Sequence, residues 1–202
     1  MDHAKRNHQT YDRVAAQYFA SHRDRSRVHG WMQRFAAAVP AGVVLDLGAG
    51  PCQDSATLRG LGLDVVSVDR SRAMLQIAHE EFPGPRVQAD LRSLPFRAGS
   101  VAGAWACASL LHLDRDEVAP ALRGIAELLA PGGVLFISLK DGAGEKWDTT
   151  SYGPDGPRWY TYWSARAVDE ALIAAGFEIL EAQWHAGSKD DWHFRIAGRS
   201  AY

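Results

Sequence analysis

Residues 43 to 55 read VVLDLGAGPCQDS, an apolar run carrying Asp46 that passes straight into a Gly-x-Gly turn at Gly48 and Gly50. Glycines at such a place let the backbone take dihedrals closed to other residues and bring it close to a ligand. A dinucleotide site asks for a third glycine at position 53, where pyrophosphate meets a helix N-terminus. Gln53 stands there instead, and Pro51 ahead of it has no N–H to offer a phosphate. The turn therefore suits a ligand without phosphates. Further on, Asp69 closes the run DVVSVD, where a carboxylate at a strand end accepts hydrogen bonds from ribose hydroxyls.

A second group of reactive side chains follows the run VAGAWAC, in ASLLHLDRDE. His112 is the natural general base there, because imidazole titrates nearest neutral pH. Asp114 and Glu117 have the spacing of a capping box and are assigned to helix initiation. That assignment leaves His112, Asp114 and Asp116 unneeded as metal ligands, and no metal is expected. Cys52 and Cys107 are the only cysteines and form no CxxC pair, so both read as reduced thiols filling small spaces.

The elements that position these groups are written in the hydrophobic rhythm. From about residue 42, the apolar runs VVLDL, DVVSVD, RVQAD, VAGAWAC and GVLFISLK alternate with helical patterns, the mark of βαβ units and a parallel sheet. Their continuous apolarity implies helices on both faces, a doubly wound α/β architecture whose ligands bind at the carboxyl ends of the strands. SARAVDEALIAAG reads as a helix stopped at Gly176. FEILEAQWHAG and WHFRIAG then read as a final antiparallel pair. Ahead of the sheet, residues 8–38 hold two helical patterns, one with Tyr11, Val14, Ala15 and Tyr18 on a common face, which predict a helical cap over the open end.

With 202 residues, the chain has the size of a single domain. We divide it into the cap (1–40), a ligand-binding core (41–140), an insertion (141–163) and the final helix and strand pair (164–202). A net charge of −2, with lysines and arginines dispersed, gives no footprint for duplex nucleic acid. No apolar h-region opens the chain and no stretch approaches a membrane span, so a cytoplasmic protein is expected.

The run VVLDLGAG resembles the first motif of the class I S-adenosylmethionine-dependent methyltransferases of the small-molecule type, with Asp46, Gly48 and Gly50 matching position by position. The resemblance continues through Asp69, Asp90 and Leu91 in RVQADLRSLPF, and LLAPGG before the fifth strand. It implies a mostly parallel seven-stranded sheet with an antiparallel last strand, and S-adenosylmethionine as cofactor. It further implies that Asp90 meets the adenine amino group, that the backbone beside Leu91 meets a ring nitrogen, and that Met74 packs on the adenine face. Tyr11 and Tyr18 resemble the YDxxAxxY pattern that covers the cofactor in that family, and Cys107 approaches the pocket if strands one and four are neighbours. The [DNS]-P-P-[YFW] motif of relatives that methylate planar exocyclic amino groups is missing, since the chain reads CASLLH there. This argues against adenine in DNA or glutamine in protein as acceptor.

Acceptor recognition is expected of His112 and of the insertion, which resembles the KEGxGE…PRxxTYY segment of some small methyltransferases. It brings Lys140, Trp147, Tyr152, Arg158, Trp159, Tyr160 and Tyr162, with Trp192 and His193 further on. Aromatic rings beside an arginine suit a planar or anionic small molecule. Methyl transfer to its oxygen or nitrogen is the leading reading. A nicotinamide-dependent oxidoreductase, or a catalytically silent cofactor-binding module, are the alternatives.

Overall fold

The structure, a computed structural model, describes residues 2–153 and 156–200. Two helices come first, α1 (His3–Ser21) and α2 (Ser26–Ala38). The first begins five residues ahead of the expected pattern, because the Asp2 carboxylate accepts the Lys5 N–H at 2.8 Å and caps the helix there.

The core then alternates β1 (Val43–Leu47), α3 (Gln53–Gly60), β2 (Asp64–Asp69), α4 (Arg72–Glu81), β3 (Arg86–Gln88), β4 (Val101–Cys107), α5 (Arg115–Leu128) and β5 (Leu129–Lys140). A hairpin, β6 (Glu145–Asp148) and β7 (Arg158–Thr161), stands apart from the main sheet. The chain ends in α6 (Ala165–Ala174), β8 (Phe177–His185) and β9 (Trp192–Arg199). Seven strands form the main sheet in the order β3-β2-β1-β4-β5-β9-β8. The first five are parallel, and β9 runs antiparallel between β5 and β8. Strand order reverses between β1 and β4, the switch point outside which ligands of doubly wound sheets bind.

Both faces of the sheet are covered, which explains the continuous apolar runs. On one face α2 sets Trp31, Met32 and Phe35 against Val44, Val65, Trp105 and Phe136. The Trp105 and Phe136 rings stack at 3.7 Å. On the other, α5 and α6 bury Leu122, Ile125, Val168 and Leu172 against Leu45, Ala104, Leu135 and Ile137. The expected capping box is present at Asp114 and Glu117. The expected helix stop at Pro-Gly-Gly falls slightly earlier: α5 ends at Leu128, Leu129 already pairs with Val101, and a bulge separates that bridge from Gly103–Val134. The insertion, which shows no period in the sequence, contains the β6–β7 hairpin, and α1 packs across both α4 and β7.

Candidate functional site

At the carboxyl end of β1 the backbone turns on Gly48 (φ 74°) and Gly50 (φ 52°), both in the left-handed region that favours glycine. A Cβ on Gly48 would lie 2.4 Å from the Ser109 Cβ, so nothing larger fits without displacing the chain after β4. Gly48 and Ala49 donate to the Val68 carbonyl, and Gly50 donates to Asp69 Oδ2 at 2.7 Å. Asp69 Oδ1 accepts the Ser71 N–H at 2.7 Å, so one carboxylate at the end of β2 fixes the glycine turn and the entry to α4. Burial raises the Asp69 pKa, and the two backbone donors oppose that rise. Asp12 on α1 accepts from Ser71 Oγ at 2.6 Å and from Ala73 N at 3.2 Å, tying the cap to the same helix start.

These elements enclose a cleft of two connected compartments, about 130 and 480 Å3. Gly48, Gly50, Asp69, Met74, Asp90 and Leu91 line the first. Tyr11, Tyr18, Cys107, Ala108 and His112 line both. Lys140, Arg158, Tyr160 and Trp192 line only the second. Strands β1 and β4 are neighbours, which is what brings Cys107 to the junction. Burial pushes the Cys107 thiol up to about 12 and the Cys52 thiol to about 11, so neither is a thiolate nucleophile at neutral pH.

Several expected site residues sit elsewhere. Asp46 does not line either compartment: it is buried beneath the glycine turn, accepts from Ser55 Oγ at 2.5 Å, and is raised to about 7 by burial and by Asp54. Trp147 lies outside both, with its ring 5.4 Å from Trp159, 5.6 Å from His3 and 4.6 Å beneath the Arg6 guanidinium. His193 is buried against Asp141 at 2.8 Å. Asp90 lines the first compartment, but Arg92 grips its carboxylate through Nε at 3.0 Å and Nη2 at 2.7 Å, with Arg70 at 3.1 Å. Burial alone would raise the Asp90 pKa; the Arg92 bonds hold it below the usual value.

His112, on a 3-10 turn (Leu110–His112) after β4, stands at the junction. Its Nε2 lies 2.8 Å from the Tyr11 phenol and its Nδ1 lies 2.9 Å from the Trp159 carbonyl. The consistent tautomer carries the proton on Nδ1, donates it to that carbonyl, and accepts the phenol proton at Nε2. Burial pushes the ring pKa down to about 3, with the Arg158 and Lys140 charges adding to the shift. A ring so hard to protonate, with both nitrogens engaged, is a poor proton acceptor; its geometry is that of a residue that positions Tyr11. This departs from the general base expected from sequence, which could not register the burial or the phenol.

The second compartment is rich in cations. Arg158 Nη2 meets the half-buried Asp148 at 3.0 Å, its guanidinium lies 4.7 Å from the Tyr152 ring and 5.1 Å from that of Tyr160, and its Nε is buried without a hydrogen-bond partner. Lys140 Nζ sits 3.6 Å over the Tyr160 ring and 2.7 Å from Asp190. Burial lowers the Lys140 pKa and Asp190 works against the drop. Arg25 reaches in from the α1–α2 connection to pair with Asp54 at 2.5 Å, while Asp54 also accepts from Trp105 Nε1.

Sequence reasoning missed several residues that build this site, among them Asn7, Thr10, Ala108 and Ser109. Asn7, one turn before Tyr11 on α1, donates to the carbonyls of His112 and Trp159 and accepts the Trp159 N–H at 2.6 Å. Its signal was the i, i+4 relation to Tyr11, had the helix been extended toward the N-terminus. Thr10 donates to the Pro157 carbonyl. Ala108 takes φ 52°, unusual for a residue with a Cβ, and is held by a 2.8 Å bond from its N–H to Ser138 Oγ. Ser109 fills the space that Gly48 leaves. Neither of the last two has a type or spacing that marks it.

An α/β sheet of this order, with a glycine turn after β1 and an acid closing β2, defines a nucleoside-binding fold. A family model described as a methyltransferase domain matches residues 45–137. Malonyl-[acyl-carrier protein] O-methyltransferase of Herminiimonas arsenicoxydans is 30% identical over 177 residues, 86% of this chain and 67% of that protein. Trans-aconitate 2-methyltransferase of Paracidovorax citrulli is 37% identical over 102 residues, but the match spans only 48% of this chain and 38% of that one. Among solved structures, the 1,6-didemethyltoxoflavin-N1-methyltransferase of Burkholderia thailandensis, bound to 1,6-didemethyltoxoflavin and S-adenosylhomocysteine, has the same fold. Its TM-score is 0.69 at 22% identity, covering 95% of this chain and 88% of that one.

The chain belongs to the class I S-adenosylmethionine-dependent methyltransferases, and S-adenosylmethionine is its cofactor. The residues fit that group. Gly48 leaves room where a Cβ would collide, Asp69 brings a carboxylate to the end of β2, and Met74 lines the cleft as a polarizable apolar side chain. No phosphate-binding cation is required in the first compartment. Among the described residues no group of His, Cys, Asp and Glu is placed to hold a metal, and no helix is long and apolar enough to cross a membrane.

Proposed function

We propose that this chain transfers the methyl group of S-adenosylmethionine to oxygen or nitrogen of a small planar or anionic acceptor seated in the second compartment. The observation that carries the reading is the shared wall: the cofactor-side and acceptor-side cavities meet at Tyr11, Tyr18, Cys107, Ala108 and His112. When bound, the cofactor supplies an electrophilic sulfonium methyl. What remains for the protein is to hold an acceptor lone pair in line with it and to keep water out.

In this reading Asp69 binds the ribose hydroxyls, Met74 packs on the adenine, and Leu91 borders the ring. Asp46 acts from below, through Ser55 and the start of α3. Asp90 has little free acceptor capacity for the adenine amino group while Arg92 grips it. Tyr11 and Tyr18 on α1 close the junction, with His112 and Asn7 fixing Tyr11 and its helix. Arg158, Lys140 and Tyr160 receive the acceptor, and Trp147 holds the hairpin to α1. The acceptors in the relatives' names differ from one another, so the acceptor here is read from the chamber.

Titration calorimetry tests the cofactor half, with S-adenosylhomocysteine expected to bind and NADH not. Transfer of label from methyl-labelled S-adenosylmethionine into a deproteinised cell extract tests the reaction. Binding without any transfer would favour a silent module.

A further inference from the structure

We propose that the acceptor presents a carboxylate to the junction of the two compartments, and that the product is a methyl ester. The inference rests on the methyl-transfer reading above and narrows it to one acceptor chemistry.

The first ground is an unmet donor. Arg158 is 7% exposed and lines the acceptor compartment; Asp148 takes one of its nitrogens while the buried Nε has no acceptor. A buried N–H left unpaired is destabilising, and such groups in native proteins ask for a missing partner. A guanidinium N–H without an acceptor, facing an acceptor chamber, is suited to an oxyanion. The second ground is the balance of charge. Five cations line the compartment, Arg25, Arg27, Lys140, Arg158 and Lys189, against the acids Asp24 and Asp190. They outnumber the acids even when the partners Asp54 and Asp148 are counted.

The third ground is the want of a proton acceptor at the wall the two compartments share, which His22 does not line. Both nitrogens of His112 are engaged. Asp190 is paired with Lys140 at 2.7 Å, and Asp24 is bonded to the Ser26 N–H at 2.8 Å. The Tyr11, Tyr18 and Tyr160 phenols are kept protonated by burial. His22 lies stacked on Tyr18 at 4.1 Å, with Nδ1 at 3.0 Å from that residue's carbonyl oxygen. A hydroxyl acceptor needs its proton removed; a carboxylate is already a nucleophile at neutral pH. A carboxylate oxygen lone pair forms the new O–CH3 bond as the S–CH3 bond breaks and its electron pair stays on sulfur. The anionic oxygen and cationic sulfur centres are both neutralised, and no proton is released.

The test is the fate of the label and of the proton. The purified chain is incubated with methyl-labelled S-adenosylmethionine and a deproteinised extract of the cells that make it, in weak buffer with a pH indicator. Methyl esters release labelled methanol in mild alkali, whereas ethers and methylamines do not. The expected result is alkali-volatile label with no proton released per methyl transferred. Alkali-stable label accompanied by one proton per methyl would overturn the carboxylate assignment and leave methyl transfer standing, with His22 the next base to examine. No transferred label beside tight S-adenosylhomocysteine binding would overturn the methyl-transfer reading itself. Arg158→Lys, which keeps the charge and loses the fork, should slow alkali-volatile transfer at least tenfold while the S-adenosylhomocysteine Kd stays within twofold. Transfer at the parent rate would remove Arg158 from the assignment.

Discussion

The Tyr11 phenol and His112 Nε2 are 2.8 Å apart, and through the opposite ring nitrogen the same imidazole reaches the Trp159 carbonyl of β7. One side chain thus joins the cap helix, the turn after β4 and the insertion at the point where the two compartments meet. The Arg158 charge bears on the same phenol, opposing the rise that burial gives its pKa. Three separate segments of chain are therefore fixed relative to one another by polar contacts around one ring.

Removing the phenol tests this arrangement. Tyr11→Phe leaves a buried nitrogen without its donor and should cost about 1–2 kcal/mol, a fall in Tm of roughly 2–8 °C for a domain of this size. Combined with His112→Gln, the two losses should be non-additive by about 1 kcal/mol in thermal melts. Strict additivity would mean that the contact carries no energy of its own.

Asp69 offers a test of the other compartment. Because its carboxylate is aimed at the end of β2 by two backbone N–H groups, Asp69→Ala should weaken S-adenosylhomocysteine binding by about 1.5–3 kcal/mol, or roughly 10- to 150-fold. Calorimetry on a variant shown to be folded by circular dichroism decides it. Unchanged affinity would remove Asp69 from the cofactor site.

The parts legible in the sequence were those written as local pattern. Apolar runs such as VVLDL and GVLFISLK announced the parallel sheet, and Gly48, Gly50 and Asp69 lie where their spacing put them. The insertion hid its hairpin because β6 and β7 are short and set outside the main sheet, so no alternating core pattern marks them. Trp147 illustrates the limit: its type suggested stacking on an acceptor, and it packs instead among His3, Arg6 and Trp159. Nothing in the order of residues says which aromatic of a loop faces the cleft. The Arg92 grip on Asp90 and the phenol on His112 were equally hidden, because each sets a side chain against a partner whose orientation only tertiary structure fixes.

Gly48 carries a steric prediction. A methyl group there would press on Ser109 at 2.4 Å and would force a residue with a Cβ into φ 74°. Gly48→Ala should lower stability by about 1–3 kcal/mol and weaken cofactor binding with it. Ser109→Gly removes the opposing Cβ, so the double variant should recover part of the loss, leaving the dihedral strain of about 1 kcal/mol. No recovery in urea melts would mean that the clash is not the cause.

Two groups, His112 and Asp46, give the stability of the fold opposite dependences on pH. His112 has its pKa lowered from 6.5 to about 3 by burial, so between those values the unfolded chain binds a proton that the native chain refuses. Stability is therefore lost as pH falls through that window, by up to about 1 kcal/mol per pH unit once the partial exposure of the ring is allowed for. Asp46 is the reverse. Its pKa is raised from 3.8 to about 7, so its contribution is fully present below pH 4 and is lost as pH rises through 7. The parent's own melting curve sums both and is a poor measure of either. The informative quantity is the difference in Tm between His112→Gln and the parent: it should shift in the variant's favour as pH falls from 6.5 to 4.5 and stay level from 7 to 8.5. The Asp46→Asn difference should shift in that variant's favour from pH 4.5 to 7 and level off above 8. A His112→Gln difference that stayed flat across the acid range would show that the ring protonates in the native state, and would return it to candidacy as a base.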